Sequence, residues 1–162
     1  MKTVAITWWI ISALIVVRSE GEITSDFSEN QNKSLQLILE HFHNKDHIKN
    51  GFKVSDILKS IEVDYSSGVF VNLEFALKQT TCHKTHRTKT DCELVKNGRT
   101  FNCFACFKFS YNSPKILSQL IDCVNILQVD SKRTNRRNQS CKEVELKKGS
   151  EKVGSYSFLT SQ

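Results

Sequence analysis

All six cysteines of the chain lie between Cys82 and Cys141, and that crowding constrains the fold more than any other feature. In a small chain bound for an oxidising compartment, an even number of cysteines reads as a disulfide framework, here of three bridges. The N-terminus points to such a compartment. Lys2 supplies a positive start, Thr3 to Val17 is an almost unbroken apolar run containing Trp8, Trp9, Ile10 and Ile11, and Val17-Arg18-Ser19 offers a cleavage site. This pattern predicts a secretory signal peptide over residues 1–19. The run falls short of the roughly 20 apolar residues that cross a bilayer as a helix, and no later segment is better suited. The expectation is a secreted, extracellular chain starting near Glu20, with no membrane insertion.

The cysteines can be partly sorted by geometry. Cys103 and Cys106 stand three apart on an expected strand, so their side chains point to opposite faces and do not bond to each other. Cys82 and Cys92 bracket a polar loop, His83 to Asp91, and make the natural local bridge. That leaves Cys103 and Cys106 to share Cys123 and Cys141 in either of two ways. The Cys103-Phe104-Ala105-Cys106 spacing also fits a redox or zinc motif. A redox pair, however, opens a helix in a βαβ setting, and zinc needs a second ligand pair; neither context is present. His43 and His47 have the i, i+4 spacing of a metal pair but lack a third ligand, and read as surface histidines. Neither a metal nor a cofactor is expected. With no Gly-x-Ser-x-Gly elbow and no phosphate-binding glycine loop, an enzyme is not expected either.

Hydrophobic spacing supplies the elements. Ser28 with Gln31 forms a capping box, and Leu35, Ile38, Leu39 and Phe42 follow at helical spacing, predicting one amphipathic helix from about Glu29 to about Lys45. Val54, Ile57, Leu58 and Ile61 form a shorter segment that reads equally as strand or helix, ending at the turn Tyr65-Ser66-Ser67-Gly68. Val69, Val71, Leu73, Phe75 and Leu77 then alternate with Asn72, Glu74 and Lys78, the period of a strand with one buried and one wet face. After the Asn97-Gly98 turn, Phe101, Cys103, Ala105, Phe107, Phe109 and Tyr111 share one parity, and Asn102, Lys108 and Ser110 the other. Ile116 to Val129 is apolar on both parities and reads as strand or partly as helix. A helix followed by antiparallel strands predicts an α+β domain whose single helix covers one face of the sheet.

The whole chain carries a formal charge of +6. Loss of Lys2 and Arg18 with the leader leaves 21 basic against 17 acidic residues. Basic residues gather at Lys84, His86, Arg87 and Lys89, and again at Lys132, Arg133, Arg136 and Arg137. Either group would attract heparin-like glycans or anionic surfaces, or is simply a solvated loop. Without interleaved aromatics a nucleic-acid partner is not expected. Asn32-Lys33-Ser34 and Asn138-Gln139-Ser140 are sequons, which makes Asn32 and Asn138 candidate glycosylation sites.

One resemblance is specific. Gly68-Val69-Phe70-Val71-Asn72-Leu73-Glu74-Phe75 with Gln79-Thr80-Thr81-Cys82, then Asn97-Gly98-Arg99 and Cys103-Phe104-Ala105-Cys106-Phe107-Lys108, resemble the chemerin family, over Leu35 to Cys141 and with all six cysteines. The resemblance implies a cystatin-like α+β domain over residues 20–141, with pairs Cys82–Cys92, Cys103–Cys123 and Cys106–Cys141, and a flexible C-terminal tail over residues 142–162. It further implies a chemoattractant and adipokine-like ligand of a G-protein-coupled chemokine-like receptor, secreted as a weakly active precursor and activated when serine proteases trim the tail. Gly154, Ser155, Tyr156, Ser157, Phe158 and Leu159 occupy the position of the activating peptide. Val153 to Gln162 carries no charged side chain, so the aromatics are free to enter a concave apolar site; alternatively, Tyr156 and Phe158 alternate as in a frayed edge strand. Only Leu159-Thr160-Ser161-Gln162 follows Phe158, with no Lys or Arg. That departure points to an elastase-like or chymotrypsin-like cut near Phe158 or Leu159, or to a chain partly active uncut.

Two rivals share the fold outline. A cystatin-type protease inhibitor needs a Gln-x-Val-x-Gly loop where this chain has Val63-Asp64-Tyr65-Ser66-Ser67-Gly68, and a Pro-Trp in its second hairpin that is missing. A cathelicidin-like antimicrobial precursor ends in a cationic peptide, whereas this end is neutral.

Overall fold

The computed structural model describes residues 26–111 and 115–149; the leader and residues 150–162 lie outside the described residues. Helix α1 spans Glu29–His43. Its capping box is closed both ways, with the Gln31 backbone N–H donating to Ser28 Oγ at 3.1 Å and the Ser28 backbone N–H to Gln31 Oε1 at 2.9 Å. Strands β1 (Asn50–Tyr65), β2 (Gly68–His83), β3 (Thr100–Phe109) and β4 (Ile116–Asn125) follow, and a second helix, α2, spans Ser131–Glu145. The strands form one antiparallel sheet in the order β1-β2-β3-β4. Among the described residues no helix is long and apolar enough to cross a membrane.

The ambiguous segment at Val54 to Ile61 is strand, and its helix-like spacing has a cause. The β1–β2 register shifts between Val54 and Asp56 and again between Ile57 and Lys59. Each irregularity inserts a residue, so Val54 and Ile57, three apart on β1, face Leu77 and Phe75, two apart on β2. At the hairpin, Gly68 has φ 133°, a conformation L side chains rarely adopt, and a Cβ there would collide with the Phe109 carbonyl oxygen. Ile116 to Val129 satisfies both of its readings in turn, being β4 and then a single 3-10 turn at Ile126–Gln128.

The main core lies between α1 and one face of the sheet. Leu35, Ile38 and Phe42 of α1 are buried with Val71, Leu73, Phe75, Leu77, Phe101 and Phe107, while Leu39 packs at the margin. Phe42, Phe52 and Phe101 meet edge to face with ring centroids 5.0 to 5.3 Å apart, a geometry that adds about 0.5–1.5 kcal/mol per pair to the burial itself.

The opposite sheet face departs from expectation. It was to be wet, but α2 lies across β3 and β4 and builds a second, smaller core from Phe70, Phe104, Cys106, Cys141 and Val144. Asn102 and Lys108, assigned to solvent by parity, are buried beneath it. The sequence 131–145 conceals this helix because of its fifteen residues only Arg137, Cys141 and Val144 are buried. Asp130 caps it, its carboxylate accepting from the Arg133 backbone N–H at 2.7 Å. The helix runs past Cys141 to Glu145, so the residues immediately after the last cysteine are helical.

Candidate functional site

Gly154, Ser155, Tyr156, Ser157, Phe158 and Leu159 lie outside the described residues. The described residues before them, up to Gly149, are firmly held. Three disulfides join Cys82 to Cys92, Cys103 to Cys123 and Cys106 to Cys141. Cys103 bonds its cross-strand partner inside the main core, while Cys106, on the other parity of β3, reaches up to α2. The last bridge therefore ties α2 to the middle of the sheet.

A buried guanidinium makes the second attachment. Arg137, 3% exposed, donates to Asp122 Oδ2 at 2.7 Å, to the Asp122 carbonyl at 3.0 Å and to Asn102 Oδ1 at 2.5 Å, with its plane 5.5 Å from the Phe104 ring centroid. Arg133, one turn earlier, donates to both Asp122 oxygens at 3.0 and 2.9 Å. Burial pushes the Asp122 carboxyl upward, but the hydrogen bonds and charges of Arg137 and Arg133 outweigh it and hold the group below the usual carboxylate range.

At its C-terminal end α2 meets the β1–β2 hairpin. The Tyr65 hydroxyl donates to the Glu145 carboxylate, and that bond, with lesser help from burial, raises the phenol above its ordinary range. Lys108 extends beneath Tyr65, its Nζ 4.0 Å from the ring centroid and without a hydrogen-bond partner among the described residues. Burial lowers the Lys108 pKa, partly offset by Glu145 and Asp64. Beyond the helix, Gly149 passes between the Ser67 carbonyl and the Leu117 side chain with no room for a Cβ. Gly149, the last described residue, thus lies at one end of the sheet, beside the hairpin. Val63 to Gly68, where an inhibitory cystatin loop would sit, is that hairpin.

The remaining candidates separate clearly. His43 is not a surface histidine: it is 3% exposed, with Nδ1 facing the Leu39 carbonyl at 2.7 Å and Nε2 accepting from the Phe52 backbone N–H at 3.1 Å. Burial, with smaller contributions from the charges of Arg87 and Lys84, lowers its pKa despite the Leu39 bond. His47 is exposed. Among the described residues the one grouping with metal-ligand character is Cys82, Asp91 and Cys92, two of which are spent in a disulfide. The basic group on α2 divides, Arg133 and Arg137 being engaged by Asp122 while Lys132 and Arg136 remain exposed. Asn32 is exposed on α1, although its amide donates to the Phe27 carbonyl at 3.1 Å. Asn138 is exposed on α2, at the rim of a groove of about 320 Å³ between α2 and β1.

Comparison with known proteins completes the picture. No model of a known protein family matches the sequence. Individual relatives do: retinoic acid receptor responder protein 2 of Homo sapiens is 31% identical over 77% of this chain and 76% of its own length. Its Bos taurus counterpart is 32% identical over 71% and 70%, and that of Mus musculus 39% over 60% of each chain. The chain belongs to the chemerin family. For a chemerin-family chain the sequence pattern marks the disulfide frame and α1, but misses α2 and the buried Asn102, Lys108 and Arg137 that seat it. The one available signal was Asp130 placed as an N-cap, with Arg137, Cys141 and Val144 following at i, i+4 and i+7.

Proposed function

We propose that this chain is a secreted signalling ligand of a G-protein-coupled chemokine-like receptor, a chemoattractant and adipokine-like protein of inflammation and adipocyte differentiation rather than an enzyme. Its activating residues in this reading are Gly154 to Leu159, unmasked when a serine protease of elastase-like or chymotrypsin-like preference cuts near Phe158 or Leu159. Membership of the chemerin family is the observation that carries the reading. The anchorage of α2 supports it physically: a tail whose root is tied to the sheet by Cys106–Cys141 and Arg137 loses less orientational freedom on entering a receptor than one joined by a loose linker.

The test compares residues 20–162 with forms ending at Phe158, Leu159 and Gly154 in receptor-activation and cell-migration assays. Forms ending at Phe158 or Leu159 should match or exceed the uncut chain, and the form ending at Gly154 should be silent. Equal potency of every form, together with retained potency of Phe158→Ala, would remove the tail from the mechanism and return attention to the domain surface.

A further inference from the structure

The fold assembles a basic corner that neither of its parts forms alone. Lys45 and Lys49 lie on the turn between α1 and β1, and Lys84, Arg87 and Lys89 on the Cys82–Cys92 loop. The Lys84 backbone N–H donates to the Lys49 carbonyl at 2.9 Å and its Nζ to the Lys45 carbonyl at 3.4 Å, so the two segments are locked side by side. Arg87 bonds the Lys84 carbonyl at 3.3 Å, and the Cys82–Cys92 bridge closes the loop. Lys49 and Lys89 are exposed.

Among the described residues none of these five cations has a carboxylate within ion-pair distance. Asp46 and Asp91, the carboxylates carried by the same two segments, pair with none of the five. Five positive against two negative charges on a preorganised corner create a field that attracts a polyanion.

The chemistry of the corner selects among polyanions. Residues 83–91 contain no apolar side chain, and on the neighbouring turn Ile48 is fully buried, so nothing is offered to the acyl region of a bilayer. Neither segment carries a Phe, Tyr or Trp on which bases could stack. Cations interspersed with the hydroxyls of Thr85, Thr88 and Thr90 suit closely spaced sulfates on a flexible chain. We infer that the corner formed by Lys45, Lys49, Lys84, Arg87 and Lys89 binds sulfated glycosaminoglycan chains, at a site separate from the tail and independent of whether the tail activates a receptor.

Heparin oligosaccharide binding to residues 20–162, measured across a salt series, tests the assignment. Lys49→Glu/Lys89→Glu should weaken binding by about tenfold or more near physiological salt. Lys132→Glu/Arg136→Glu, an equal charge change at exposed positions of α2, should alter it by less than about twofold. All four positions are exposed, and unchanged thermal midpoints establish that both variants are folded. Should Lys49→Glu/Lys89→Glu fail to fold, Lys89→Gln alone substitutes, with a smaller loss that still exceeds that of the α2 variant. Equal losses in the two variants would reduce the effect to net charge and overturn the site. Absence of heparin binding at physiological salt, or equally tight binding to phosphatidylserine vesicles, would overturn it as well.

Discussion

Asp122 receives two arginines from the same helix, and the sharpest prediction concerns how differently they count. The Arg137 side chain is 3% exposed and the Arg133 side chain 25%. Truncating Arg137 to Ala removes a charge-assisted bond of about 1.5–3 kcal/mol and leaves the buried Asn102 Oδ1 without its donor, a further penalty of about 1–3 kcal/mol. The expected loss is about 3–5 kcal/mol, a large share of the roughly 5–15 kcal/mol that holds a domain folded. Arg133→Ala leaves Asp122 with its buried partner and removes only a partly solvated pair, so its cost is about 0.5–1 kcal/mol. Urea unfolding at pH 7 measures both, with constant m values certifying comparable end states. The pair also predicts a pH dependence. Because the folded-state pKa of Asp122 is lowered, its contribution is complete above the ordinary carboxylate value near 3.8 and is lost as pH falls through the folded value. The gap between wild type and Arg137→Ala should narrow in that acid range. Equal costs for the two arginines, or a gap indifferent to acid, would refute the argument that burial sets the strength of this attachment.

Three further outcomes follow from the same geometry. His43 must be neutral to accept from the Phe52 N–H and its folded-state pKa is lowered, so the unfolded chain takes up the proton first; below about pH 6.5 stability should fall by up to about 1.4 kcal/mol per pH unit, and urea midpoints at pH 7 and 5.5 should show that slope in wild type but not in His43→Gln. Paired Cys→Ala changes at Cys106/Cys141 and Cys103/Cys123 should cost about 4 and 3 kcal/mol from loops of 35 and 20 residues, but only the first should speed amide exchange in α2; equal exchange in both would contradict the bridge's role as helix tether. Phe42→Ala should cost about 3–5 kcal/mol because the ring is fully buried, with the marginal Leu39→Ala costing clearly less in the same titration.

What the sequence reveals depends on how each element is held. Helix α1 is legible because apolar packing holds it, and apolar packing writes a period: Leu35, Ile38 and Phe42 are both the pattern and the contact. Strands β2 and β3 are legible by parity for the same reason. Strand β1 is blurred because its irregularities break the two-residue period that would identify it. Helix α2 is nearly silent since a disulfide and a buried guanidinium hold it, and these leave isolated residues in place of a stripe. Lys108 and Asn102 are misread as a consequence, because parity assigns a face but not what covers it. The assignment of residues 154–159 as the activating segment rests on the resemblance alone; nothing in their spacing distinguishes a ligand from a frayed end.

The central position of β3 carries a consequence for heredity. Every side chain from Phe101 to Phe109 is buried, alternate residues furnishing the main core and the smaller one, so the strand is a party wall between two rooms. A one-residue slip turns a strand's buried set away from its core, and in β3 it would disrupt two cores at once because both faces are buried. Insertion or deletion of a single codon early in β3 would send Cys103 toward α2 and Cys106 toward α1, severing two bridges at once and driving Lys108 among phenylalanines. Descendants of this gene can therefore vary β3 only letter by letter, because any change of its length exchanges the contents of both cores.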